Sequence, residues 1–162
     1  MKKWLFMILP FMSVAASAQN DVATNVAVAA SEKVFRTPDV DSKPQLKNGI
    51  NELSVFIGNN FKFPQIKNKQ VKIFVSFIVE PNGSTSDVKA FYVNVKDLVS
   101  NANDQVKIET EQQKDLYAEQ SVLLKKEAVR VITAFNEKWI PAKKDGQTVR
   151  CLYNYPINFN IE

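Results

Sequence analysis

The chain has 162 residues, 45% hydrophobic and 23% charged, which is enough for one domain with a real core and too few for two. Lys and Arg number 21 against 17 Asp and Glu, and there is no histidine. That absence removes Ser-His, Cys-His and His-metal mechanisms, and the single Cys151 removes a disulfide framework and any Cys-cluster zinc site. Four widely spaced glycines leave no phosphate-cradling loop.

The chain opens on Met1-Lys2-Lys3, continues as an apolar run over residues 4–16, and then presents Ala16-Ser17-Ala18, the small residues of a signal-peptidase site. The run falls short of the ~20 residues that cross a hydrocarbon core, and Pro10 weakens it further. Residues 1–18 are therefore expected to be a cleaved signal peptide, with an uncleaved membrane anchor as the alternative. Loss of Lys2 and Lys3 lowers the formal charge from +4 to +2. So small a charge, with Lys125-Lys126 and Lys143-Lys144 as isolated solvated pairs, is no nucleic-acid footprint.

Residues 19–32 read as a flexible leader. Pro38 and Pro44 keep residues 33–44 extended. Ile50, Leu53, Phe56 and Ile57 recur at helical steps, with Gly58 as the expected C-terminal cap. Phe61-Lys62-Phe63-Pro64 then runs extended. Val71, Ile73, Val75, Phe77 and Val79 alternate with more polar neighbours as a strand, although Phe74 and Ile78 make its second face partly apolar. Pro81-Asn82-Gly83-Ser84 predicts a hairpin turn, and residues 85–93 the returning strand.

Residues 94–117 are rich in Asn, Asp, Gln, Lys and Glu and are expected to be a polar, dispensable insertion, with Val106 and Ile108 as a short strand at most. Asp97, Asn101, Asn103 and Asp104 lack the glycine and glutamate of a calcium loop, so no metal is expected. A helix is predicted from about Gln120, with Leu124, Ala128, Val131, Ile132, Phe135 and Trp139 on one stripe and Pro141 ending it. After the Asp145-Gly146 turn, Val149, Cys151, Tyr153, Tyr155, Ile157, Phe159 and Ile161 share one face of a last strand. Cys151 on that face reads as a buried, inert thiol. The sum is an α+β fold, a small antiparallel three-stranded sheet packed with two helices. A hydrolase is not expected, since nucleophile, base and pocket are all missing from the pattern, and no cofactor is implied.

Several pieces in fixed order resemble the carboxy-terminal domain of the energy transducer TonB. They are Phe63-Pro64, a strand-turn-strand with Gly83 at its turn, the helical Glu127-Ala128-Val129-Arg130-Val131-Ile132, then Trp139-Ile140-Pro141-Ala142, and finally Tyr155-Pro156-Ile157-Asn158-Phe159. Asn68-Lys69-Gln70 stands where the family commonly has glycine, and the link before the long helix is longer than usual. The histidine-bearing membrane helix and proline-rich spacer of a complete transducer have no counterpart in these residues.

The resemblance implies a TonB C-terminal-like domain over residues 33–162 of a periplasmic protein of a Gram-negative bacterium, or of one anchored in the inner membrane and facing the periplasm. It further implies binding of an extended segment of an outer-membrane TonB-dependent transporter by strand addition, in energy-dependent transport. On that reading Phe63, Pro64, Arg150, Leu152, Asn154, Pro156 and Asn158 contact the partner. The alternative is a soluble scaffold that uses the same fold for another envelope protein, or for a homodimer paired through the sheet edge.

Overall fold

The strict alternation around Val71, Ile73, Val75, Phe77 and Val79 forms the middle of the molecule, and all five side chains are fully buried. The computed structural model describes residues 33–98 and 111–162. The expected signal peptide, the leader and the Val106/Ile108 strand lie outside the described residues. In chain order the elements are β1 (Val34–Arg36), a 3-10 turn (Thr37–Asp39), β2 (Gln45–Leu46), α1 (Asn51–Asn60), β3 (Lys69–Val79) and β4 (Thr85–Asp97). Then follow α2 (Glu111–Ala134), β5 (Trp139–Ile140), β6 (Ala142–Lys144) and β7 (Gln147–Ile161).

The fold is α+β, with two helices and a curled five-stranded sheet among the described residues. Long antiparallel β7, β3 and β4 make its body, as the two apolar alternations and the hairpin turn between β3 and β4 predict. Two short strands also pair with β7: β6 runs antiparallel to residues 147–149, and β1, on the side away from β3, runs parallel to residues 150–152. A separate two-stranded ladder joins β2 to β5. One face of the sheet carries the core. There Leu53 and Ile57 of α1 and Leu124, Ala128, Val131 and Ile132 of α2 pack on β3, with Tyr153, Tyr155 and Phe159 of β7 closing the side. Among the described residues no helix is long and apolar enough to cross a membrane.

Four local expectations are corrected. Gly58 does not cap the first helix; α1 runs through it to Asn60, and the Phe61 N–H closes the last turn on the Ile57 carbonyl. The segment 94–117 is not all insertion, because β4 continues to Asp97 and α2 already begins at Glu111. Its two ends are fastened: the Lys69 ammonium on β3 pairs with Asp97 and donates to the Tyr117 hydroxyl of α2 at 3.3 Å. Trp139 is not on the helix. α2 stops at Ala134, because the Trp139 N–H is taken by the Gly83 carbonyl at 2.9 Å and Leu46 pairs with Trp139 in the β2–β5 ladder. The sheet, finally, has five strands rather than three, since two- and three-residue strands carry no legible period.

Candidate functional site

β7 is fifteen residues long and pairs with β3 over residues 151–161. On its other side β1 covers only residues 150–152, and β6 pairs with residues 147–149, before the β3 ladder begins. Among the described residues the stretch 153–161 therefore has a strand on one side only, and its outward N–H and C=O groups form an open edge. The opposite edge of the sheet, β4, is guarded differently. Two irregularities break its ladder with β3, one between Phe74 and Val75 and one between Ser76 and Ile78, and Asp87 sits at φ 48° within the second. Such bulges twist an edge away from straight pairing. β7 carries none against β3.

Beneath the open edge α1 supplies a wall. Ser54 and Ile57 of α1 and Tyr155, Pro156, Ile157, Asn158 and Phe159 of β7 enclose a groove of about 160 Å³. The Ser54 and Tyr155 hydroxyls, 2.6 Å apart, share a hydrogen bond that fixes the helix to the strand. At the groove's end Phe61, Phe63 and Phe159 meet with centroids 4.7–4.9 Å apart, so Phe63 is held against β7 while remaining 39% exposed.

The loop bearing Phe63 and Pro64 is tied to α2 by a carboxylate. Glu127 accepts the Lys62 backbone N–H at 2.8 Å and two bonds from Arg130, whose guanidinium also donates to the Asn60 carbonyl at 2.7 Å. The Arg130 guanidinium, and secondarily the Lys62 N–H, holds the Glu127 carboxyl below the usual glutamate range. Across the sheet, Arg150 donates to both oxygens of Glu80, at 2.8 and 2.9 Å, and lowers that carboxyl likewise.

The seven residues singled out from the sequence fall into two groups. Asn154, Pro156 and Asn158 lie on the open stretch, and Phe63 and Pro64 stand beside its far end. Arg150 and Leu152 lie where β1 already flanks β7, and the Arg150 side chain is engaged with Glu80. Pro156 has no N–H to give an added strand, which removes one bond from any ladder built there. No protein-family model, no curated protein and no solved structure matches the chain.

Ser54, Ile57 and Phe61 also shape the site, and the sequence reading gave them no part in it. Their only signal is position: the last turns of a short helix directly before the Phe-Pro pair. Among the described residues no three His, Cys, Asp or Glu side chains converge to hold a metal. Cys151 is fully buried, and burial pushes its thiol up, so it offers little thiolate for chemistry.

Proposed function

We propose that the protein is a peptide-binding module that takes an extended segment of another envelope protein as an added strand on the open stretch of β7. The observation that carries this reading is the asymmetry of the two edges: β4 is bulged, whereas residues 153–161 of β7 are regular and uncovered among the described residues. A strand added there gains backbone hydrogen bonds for affinity. The groove against Ser54 and Ile57, and the exposed face of Phe63, would receive alternate side chains and set the preferred sequence.

The TonB-like order of motifs makes an outer-membrane transporter the natural donor of that segment. The signal-like residues 1–18 are consistent with a periplasmic setting. On this reading the module recognises the transporter, and its coupling to an energy source belongs to other segments or partners. No catalytic step is assigned to it.

The test is crosslinking in cells with a photoreactive amino acid at Asn158 of the full chain, and at Lys89 on β4 as the comparison. A discrete adduct with an outer-membrane barrel from Asn158, absent from Lys89, is expected. Adducts only from Lys89, or only between copies of the chain, would overturn the transporter assignment.

A further inference from the structure

We propose that the outer face of the sheet, around Phe74, Phe91 and Tyr92, binds an acidic oligosaccharide. This site lies on the face opposite the helices and does not rest on the reading of the β7 edge.

The irregularity between Phe74 and Val75 is what creates it. Phe74 pairs with Tyr92 and Val75 with Ala90, so Phe91 is an extra residue in β4. In a regular strand two consecutive side chains point to opposite faces; a bulge turns both toward one side. Phe91 and Tyr92 accordingly both meet Phe74, with centroids 6.0 and 5.8 Å away, and remain 54% and 46% exposed. Ladder pairing is given up here, and the return is a broad aromatic platform left in contact with solvent.

What surrounds the platform selects the ligand. Gln70, Lys72, Asn94 and Lys96 complete a groove of about 330 Å³ with Phe74 and Tyr92. The Lys72 ammonium lies 5.0 Å from the Phe74 centroid, and among the described residues neither Lys72 nor Lys96 has a carboxylate partner. Aromatic faces accept the C–H face of a pyranose ring. Side-chain amides both donate and accept, as sugar hydroxyls do. The two unopposed ammonium groups favour a sugar that carries a carboxylate.

A single-stranded nucleic acid would ask for something else, a continuous positive track following the phosphates. Here two lysines sit among neutral amides, and the neighbouring outward positions on β7, opposite Phe74 and Lys72, are Pro156 and Asn158. The balance fits a polyol with an occasional carboxylate.

The test is titration of the isotope-labelled full chain, followed by amide chemical shifts. The probes are tetragalacturonate and a hyaluronan tetrasaccharide, with cellotetraose and oligothymidylate for comparison. Saturable shifts centred on Phe74, Phe91, Tyr92 and Asn94 are expected from at least one acidic sugar. A Lys72→Gln/Lys96→Gln variant should weaken that binding about tenfold, the effect of two exposed charges, and change cellotetraose binding far less. Phe91→Ser and Tyr92→Ser, both at exposed positions, should abolish it while the rest of the spectrum stays folded. The proposal fails if neither acidic sugar gives saturable shifts, if the shifts map to another face, or if oligothymidylate binds this face more tightly.

Discussion

Gly83 shows how one residue joins three parts of the fold. It holds φ 79° in the β3–β4 turn, and its carbonyl accepts the Trp139 N–H. A Cβ placed there would stand 2.3 Å from the Trp139 carbonyl oxygen, so both conformation and space demand glycine. Gly83→Ala is therefore expected to lower stability by about 2–3 kcal/mol, read as a drop in the thermal midpoint. A variant as stable as the parent would contradict this account of the turn.

The pairs Glu80–Arg150 and Glu127–Arg130 make a second prediction at the same scale. Both carboxyls titrate below the ordinary glutamate value in the folded chain. Their contribution is therefore complete above the unfolded value of about 4.3 and is lost as pH falls through the folded values. The thermal midpoint should fall as pH drops below the ordinary glutamate range, and Glu80→Gln should flatten that fall. Equal slopes in parent and variant would remove Glu80 from the explanation.

At the scale of elements, what could be read from the sequence followed the length of each pattern. The eleven residues of β3 and the fifteen of β7 carry alternations long enough to fix strand, face and register. β1, β2, β5 and β6 have two or three residues each and owe their conformation to the strands beside them. The end of α2 was illegible for a similar reason: Phe135 and Trp139 continue the helical spacing, and only long-range bonds from Trp139 to Gly83 and β2 end the helix earlier.

The bulge of β4 is written in its sequence. Val88 and Ala90 face the core, and so do Val93 and Val95, which is a change of phase that only an extra residue between them can supply. The open stretch of β7 is different, since no residue pattern says where β1 stops covering it.

The polar segment divides along the same lines. Replacing residues 99–110 by a Gly/Ser linker of equal length should preserve a cooperative melt. Replacing all of 94–117 should not, because Asp97 and Tyr117 both hold Lys69. Cooperative unfolding of both variants alike would show that these fastenings carry no stability.

For the whole molecule, the sheet assigns different tasks to its parts. The inner face, with Phe77 against Trp139 and Tyr153, is core, and truncating Leu124 or Ile73 to alanine should cost about 2–5 kcal/mol. The β4 edge is bulged against pairing, and the bulge at Phe91 also builds the outer aromatic face. On the proposed reading, the β7 edge, walled by α1 and ending at Phe63, is where another chain joins the sheet.

The most direct test of that claim is amide hydrogen exchange along β7 in the purified full chain. Residues 151 and 152, flanked by β1 on one side and β3 on the other, should be protected throughout, as should β3. Between 153 and 161 protection should alternate, with every second amide exchanging fast because it faces no strand. Unbroken protection to Ile161 would mean that the edge is already occupied in the free protein, and the peptide-binding account would be contradicted.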